Sequence, residues 1–150
     1  MKLSSSAFGS EEKIPSKYTC DGNNINPPLE IVDVPEGAQS LVLIMEDPDV
    51  PKNLREDGLW IHWVVFDMPA DLREINEGRE PSGIGGAGTN GKQGYFGPCP
   101  PDREHRYFFK LFALDKKLAL AGKATRDDVL RAMEGHILEQ TELLGLYERV

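Results

Sequence analysis

Two segments that are apolar on both faces constrain the fold of this chain more than any other feature. They are Trp60–Phe66 (WIHWVVF) and Arg106–Leu114 (RYFFKLFAL), both rich in aromatic and β-branched residues. A strand that buries both faces must be covered on each side, so the pattern predicts central strands of a sheet with a packing layer on both surfaces. Two further strands are predicted at Leu29–Val34, which alternates, and at Ser40–Met45, which is continuously apolar.

One helix is clearly indicated. Thr125 can cap its first turn, Asp128 stands at the acidic position of a capping box, and Val129, Met133 and Ile137 follow at helical spacing. The tail from residue 136 to residue 147 fits a strand and a helix equally well by its own pattern. The chain is therefore predicted to be mainly β with a few helices.

The segment from Asn76 to Glu104 shows no regular pattern, and it holds two short matches to nucleotide-binding motifs. GIGGAG at 83–88 matches GxGxxG, but no strand delivers it and no helix follows, as pyrophosphate binding requires. GAGTNGK at 86–92 approaches a P-loop, but Gln93 stands where a Ser or Thr would bind magnesium. We therefore predict neither dinucleotide binding nor nucleotide hydrolysis, and we expect a glycine-rich surface loop.

Length and charge limit the classes of partner. The 150 residues suit one domain, predicted to span residues 1–150, and the formal net charge is −8. That charge argues against nucleic acid and anionic membranes as broad electrostatic partners, but it leaves room for a small anion held by a local positive group. The longest apolar run, Leu41–Met45, is far too short to cross a membrane, and no apolar signal segment follows Met1. We therefore predict a cytoplasmic protein without stable membrane insertion.

The two cysteines, Cys20 and Cys99, are too few for a disulfide scaffold, and they form no CxxC motif. A bridge between them is open, but nothing in the sequence supports it. Disulfides are rare in the cytosol, which argues against the bridge, but the sequence does not decide whether Cys20 and Cys99 are bonded. Metal-ligand spacing is also absent from the histidines and acids, so no metal and no cofactor are predicted.

Two carboxylates follow the apolar strand. Asp47 must be extended because Pro48 comes next, and Pro51 restricts the chain after Asp49. Both side chains should therefore leave the sheet end with little freedom. An ordinary Asp/Pro turn explains the same residues without any function.

Two histidines stand in predicted strands. Strict alternation places His62 on one face with Trp60, and Ile61 on the other face with Trp63. His105 and Tyr107 are two apart at the start of a strand, so they should project from one face. A satisfied core histidine is the plain alternative for His62.

Taken together, these motifs resemble the phosphatidylethanolamine-binding protein family, and most closely its bacterial and archaeal branch of Raf-kinase-inhibitor-like proteins. The motifs occur in family order over nearly the whole chain, and their combination is far more specific than any one of them. They are YTCDG at 18–22, PPL at 27–29, DPDVP at 47–51, WIHW at 60–63, GPCPP at 97–101, HRY at 105–107 and the tail from Gly135 to Arg149.

The resemblance implies a β-sandwich with a central antiparallel sheet, a smaller sheet and a C-terminal helix. It also implies a small pocket for phosphate, phosphoethanolamine-type headgroups or related anions, and a cis peptide bond at Val50–Pro51. By motif match, the ligand-binding residues would be Asp47, Asp49, His62, Cys99, Pro100, His105 and Tyr107.

We therefore expect a non-enzymatic protein that binds a small anionic or phosphoryl ligand and could modulate a partner protein. Two alternatives stay open: an inhibitor of a protease or kinase that acts by protein contact, and an enzyme that uses the Asp, His and Tyr side chains for acid–base chemistry. No serine or cysteine stands in a recognisable nucleophile setting, which disfavours the enzyme. A homodimer is also left open.

Overall fold

Long antiparallel strands build the centre of the molecule, a computed structural model whose residues 1–149 are described. In chain order the elements are β1 Lys2–Ser4, β2 Glu12–Lys13, a 3-10 turn Ser16–Tyr18, β3 Leu29–Val32, β4 Ser40–Asp47, β5 Trp60–Pro69, β6 Glu74–Ile75, β7 Ile84–Gly85, β8 His105–Leu114, α1 Arg126–Met133 and β9 Ile137–Tyr147. The four strands predicted from sequence are present, with β4 and β5 extending two to three residues further than their patterns indicated.

The strands form two sheets. The larger sheet has the order β2-β9-β8-β4-β5-β7 and is antiparallel except where β2 pairs with β9. The smaller sheet has the order β1-β3-β6. This arrangement confirms the predicted mainly β fold, a sandwich with a large central sheet and a small second sheet. The helix lies before the last strand of the chain, not after it.

Each face of the large sheet has its own apolar core, as the doubly apolar strands predict. On one face, Leu43 and Phe109 pack with Ile31 of the small sheet. On the other, Ile44 and Phe112 pack with α1, together with residues of the segment that leads to it. Each fully buried aliphatic or aromatic side chain contributes about 1.5–3 kcal/mol, so the two cores hold the sheet from both sides.

The helix has the capping box that its sequence predicts. The Thr125 hydroxyl accepts from the Asp128 backbone N–H (3.2 Å), and the Asp128 carboxylate accepts from the Thr125 N–H (3.0 Å). The helix ends at Met133, before Gly135 at φ +77°, so Ile137 belongs to β9 and not to the helix. The tail becomes a strand because the edge of β8 offers it a complete ladder of backbone hydrogen bonds.

The structure settles the question of the two cysteines, which the sequence left open. Cys20 and Cys99 form a disulfide with their Cα atoms 5.5 Å apart. Their two segments already lie side by side, since the Cys20 N–H donates to the Pro98 carbonyl (3.1 Å) and the Gly97 N–H donates to Asn24 Oδ1 (2.7 Å). The sequence argument concerned only the redox compartment and could not see this proximity.

The predicted cis bond at Val50–Pro51 is also wrong, because every peptide bond in residues 1–149 is trans. The chain turns here by hydrogen bonding instead: the Val50 N–H donates to the Gly58 carbonyl (3.2 Å), and the Pro51 carbonyl accepts from Leu54 (2.9 Å). In the same described residues, the helical segments are too short and too polar to span a bilayer.

Candidate functional site

A pocket of about 330 Å³ opens at the end of the large sheet where β4 ends and β5 and β8 begin. Its polar lining is small and comes from Asp47, His62 and His105, with Arg55 at the wall. The remaining lining residues are apolar or sulfur-bearing: Val50, Leu54, Trp60, Phe96, Cys99 and Pro101. A mostly apolar pocket with a few convergent polar groups is the usual form of a small-molecule site.

His105 is completely buried and lies between two carboxylates. Its Nδ1 is 2.7 Å from Asp47 Oδ2, and its Nε2 is 2.7 Å from Asp102 Oδ1. An ionised carboxylate can only accept a hydrogen bond, so an imidazole with a proton on each nitrogen satisfies both partners. The contact with His105 in turn lowers the pKa of Asp102. Both ring nitrogens of His105 thus face carboxylate oxygens inside the protein.

Asp47 anchors this arrangement from the end of β4. Its Oδ1 accepts from the Asp49 backbone N–H (2.7 Å), while its Oδ2 faces His105. Burial raises the pKa of Asp47, and the hydrogen bonds from His105 and Asp49 oppose that rise. Removing either donor would leave a buried, poorly solvated carboxylate, which is costly.

His62 reaches the pocket through an irregularity in β5. In the pairing of β4 with β5, Met45 faces Trp63 but Glu46 faces Ile61, so His62 is one residue extra on its strand. A β-bulge of this kind re-aims side chains. As a result, Ile61 packs in the core on the α1 side, opposite Trp63 in the other core, and the predicted face assignment of Ile61 with Trp63 is wrong.

The chemistry of His62 differs from that of His105. Its Nδ1 is 2.6 Å from the Phe96 carbonyl, which can only accept, so Nδ1 carries the proton. Burial lowers the pKa of His62 to about 4, so the ring is neutral at neutral pH. In the neutral ring with its proton on Nδ1, the other nitrogen, Nε2, is an acceptor.

Tyr107 joins the two histidines. Its ring contacts His62 edge-on, with centroids 5.3 Å apart, and stacks beside His105 at 6.4 Å. Its hydroxyl is buried and has no hydrogen-bond partner in the described part of the chain. Burial raises its pKa far above 10, and the nearby Asp47 carboxylate adds to the effect. The hydroxyl therefore lies near the Asp47 carboxylate without a hydrogen bond of good geometry. His105 and Tyr107 share one face, as predicted.

Three predicted site residues are not among the residues that line this pocket: Tyr107, which lies behind the histidines, Asp49 and Pro100. The Asp49 carboxylate is held by Arg106, accepting from the Arg106 backbone N–H (2.8 Å) and from its guanidinium (2.9 and 3.0 Å). This lowers the pKa of Asp49 and fixes the turn after β4. Pro100 lines a small neighbouring depression with Asp102 and Arg103, while Cys99 lines the pocket itself.

Sequence reasoning missed Asp102 and the apolar walls. Asp102 stands three residues before His105, a spacing that could have indicated the contact only if the loop conformation were known. Leu54, Trp60 and Phe96 come from three separate segments, and Arg55 lies over the Trp60 ring at 5.9 Å. No local pattern marks these residues, because only the tertiary fold brings them together.

The fold and the pocket together define a class: a two-sheet β-sandwich with an aspartate–histidine–tyrosine pocket at one end of its central sheet. A family model described as "Phosphatidylethanolamine-binding protein" matches residues 4–148. A UPF0098 protein of Chlamydia pneumoniae is 55% identical over 149 residues, covering 99% of each chain. A UPF0098 protein of Methanothermobacter thermautotrophicus is 48% identical, also with 99% of each chain covered.

Solved structures agree with these relatives. A phosphatidylethanolamine-binding protein homolog of Chlamydia trachomatis, CT736, superimposes with a TM-score of 0.96 at 48% identity, covering 99% of this chain and 97% of that one. E. coli YbcL, described as a new member of the mammalian PEBP family, gives 0.88 at 26% identity, covering 99% and 98%. The chain belongs to the phosphatidylethanolamine-binding protein family.

Proposed function

We propose that this protein binds a small oxyanion, such as a phosphate or a phosphoryl headgroup, in the pocket around His105 without turning it over. The observation that carries the proposal is the completely buried His105 ring, whose Nε2 is hydrogen-bonded to a carboxylate oxygen from Asp102. An N–H group at His105 Nε2 that donates to a carboxylate oxygen can donate equally well to a phosphoryl oxygen in the same place. The Tyr107 ring contacts both histidines, so its hydroxyl is a further candidate donor.

The apolar walls support a ligand larger than the anion alone. Leu54 is 61% exposed although it lines the pocket, and Trp60 and Phe96 line it as well. An apolar group attached to the anion would cover these side chains and gain about 25 cal/mol per Å² of apolar surface removed from water. Phosphoethanolamine-type headgroups and phosphate monoesters with a short organic group fit this combination.

Titration of inorganic phosphate and phosphoethanolamine, followed by NMR of backbone amides and histidine rings, tests the proposal. We expect dissociation constants in the micromolar to millimolar range, about −8 to −4 kcal/mol. Perturbations should centre on His105 and Tyr107, and His105→Gln should abolish them. His136→Gln is the matched control, because His136 is bonded to Asp115 far along the chain from the pocket. Perturbations that avoid the pocket would refute the proposal.

The absence of turnover is part of the same proposal. His105 and Asp47 are committed to each other, and no pocket residue provides a hydroxyl or thiol nucleophile paired with a base. Phosphatase, esterase and ATPase assays should give no activity that depends on His105. An activity that disappears in His105→Ala would establish the enzyme alternative instead. Protease or kinase inhibition, a homodimer and the cytoplasmic location stay predictions.

A further inference from the structure

Asp102 and His105 make a contact that bears directly on how an anion enters the pocket. Resting on the proposed function, we infer that the Asp102 carboxylate is an internal competitor: it occupies the anion position on His105 Nε2, and a ligand binds by displacing it. Asp102 thereby sets the affinity of the pocket for oxyanions.

The first support is the count of charges around the ring. His105 can carry one positive charge, and the carboxylates of Asp47 and Asp102 already contact its two nitrogens at 2.7 Å each. A third anion added to this group would meet two like charges in a site of low dielectric, where repulsion is strong. If the ligand replaces one carboxylate, the number of charges around His105 does not change.

The second support is that only one of the two carboxylates can leave. Asp47 is 3% exposed, and its other oxygen is held by the Asp49 N–H (2.7 Å). The Asp102 side chain is 42% exposed, and it lies 2.7 Å from His105 but 3.8 Å from Arg103. Moving Asp47 would bury an unpaired charge, whereas moving Asp102 delivers its carboxylate to water.

The third support is that the displacement needs little rearrangement. The disulfide at Cys99 and the prolines before Asp102 hold the backbone of this segment, so rotation of one short side chain is sufficient. Arg103 Nε lies 3.8 Å from Asp102 Oδ2 and offers the displaced carboxylate an alternative partner at the surface.

The test compares Asp102→Ala with Glu104→Ala. Glu104 is exposed and lies two residues from Asp102, and in residues 1–149 the polar partners of the His105 ring are Asp47 and Asp102. Removing the Glu104 carboxylate therefore changes the net charge equally without freeing Nε2. If Asp102 occupies the ring nine-tenths of the time, its removal tightens phosphate binding about tenfold. Glu104→Ala should change the dissociation constant about twofold at most, since exposed charges are screened by salt. Asp102→Asn keeps the shape without the charge and should fall between wild type and Asp102→Ala.

Inorganic phosphate is the probe, with affinity measured by NMR titration at constant ionic strength. In the wild type, saturation with phosphate should also shift the side-chain carboxyl ¹³C resonance of Asp102 to that of a free carboxylate. Equal affinities in the wild type and both alanine variants would overturn the inference while leaving the anion site intact. Weaker binding in Asp102→Ala would also overturn it, because Asp102 would then be a ligand contact. Failure of phosphate to bind any of the proteins, including Asp102→Ala, would refute the proposed function itself.

Discussion

At the scale of single residues, the two pocket histidines make different hydrogen bonds and therefore differ in their chemistry. His62 and His105 are both buried, yet His62 donates to a carbonyl and stays neutral, while His105 lies between two carboxylates. From the sequence alone, the two histidines are indistinguishable, because an imidazole in general changes its charge near neutral pH. The surroundings of His62 leave its Nε2 as an acceptor, while both nitrogens of His105 face carboxylate oxygens, so the two rings offer different hydrogen-bonding groups to a ligand.

The lowered pKa of His62 predicts a loss of stability in acid. In the unfolded chain His62 takes up a proton near its ordinary pKa of about 6.5, whereas in the fold it does so only near pH 4. Protonation of His62 therefore favours unfolding. The stability that the neutral ring contributes is fully present above pH 6.5 and is lost as the pH falls to 4. The free energy of unfolding of wild type should drop by about 3 kcal/mol more than that of His62→Gln over this interval.

Urea unfolding at a series of pH values measures this difference. His136→Gln serves as the comparison, because its ring is partly exposed and bonded to Asp115. Parallel pH profiles for wild type and His62→Gln would show that His62 is not the group responsible.

Removal of the Tyr107 hydroxyl should affect ligand binding and protein stability differently. A buried hydroxyl without a partner costs about 1–3 kcal/mol, so Tyr107→Phe should leave the free energy of unfolding unchanged or raise it by about 1 kcal/mol. Phosphate affinity should fall severalfold, because a donor is lost. Tyr147→Phe is the matched control: the Tyr147 hydroxyl donates to Asp21 (2.7 Å), and its removal should destabilise the protein by about 1 kcal/mol. A destabilised Tyr107→Phe with unchanged phosphate affinity would contradict this assignment.

At the scale of elements, strand ends and irregularities build the site, not the regular ladders. The bulge in β5 brings His62 toward the pocket, and the end of β4 presents Asp47. The segment between β7 and β8 is irregular, as its composition predicted, but the disulfide at Cys99 and the Phe96–His62 backbone contacts fasten it to the sheet. It is therefore a wall of the pocket and not a free surface loop.

The disulfide should contribute strongly to stability, because it closes a loop with a sequence separation of 79 residues. The loss of chain entropy in the unfolded state corresponds to about 4 kcal/mol for a loop of this length. We expect the double variant Cys20→Ala/Cys99→Ala to lose about 2–5 kcal/mol in chemical unfolding. Treatment with a thiol reductant should lower the melting temperature of wild type and leave that of the double variant unchanged. Equal stabilities of the oxidised and reduced wild type would refute this expectation.

At the scale of the whole molecule, the two ends of the chain are joined. The Ile14 N–H donates to the Leu146 carbonyl (2.7 Å), and the Glu11 N–H donates to the Leu144 carbonyl (2.8 Å). Ile14 is fully buried and packs against Gly145, where a side chain would leave no room for it. The N-terminal segment thus pairs as β2 with the end of β9 and forms the edge of the large sheet there.

Because this segment packs on β9, alanine substitutions at its buried and exposed positions should differ in their effect on stability. Ile14→Ala should lower the free energy of unfolding by about 2–5 kcal/mol, because it leaves a cavity between the segment and β9. Lys13→Ala, at the exposed neighbouring position, should cost less than about 1 kcal/mol. Denaturant unfolding of both variants gives the comparison. Similar losses at the two positions would mean that the segment does not pack against β9 as a buried layer.

The sequence alone determined the helix and the four strands β3, β4, β5 and β8, and it named four residues that line the pocket, Asp47, His62, Cys99 and His105. Doubly apolar strands required a covered sheet, the capping box placed the helix, and alternation placed His105 and Tyr107 on one face. These features depend on residues a few positions apart, whose relative directions are set by the local backbone geometry of strands and helices. The motif combination also identified the family, which the comparisons confirm.

Only the tertiary structure decided which groups meet and in what state. Some of these contacts join segments that are distant in sequence: the Cys20–Cys99 bond and the ion pair of Asp49 with Arg106. Others depend on local irregularities, namely the bulge at His62 and the loop that brings Asp102 to His105. Burial then fixed the charge states, lowering the pKa of His62 by removing water and leaving the Tyr107 hydroxyl without a partner. Desolvation and hydrogen bonding depend on the full three-dimensional surroundings of a group, and a linear pattern of residues does not contain them.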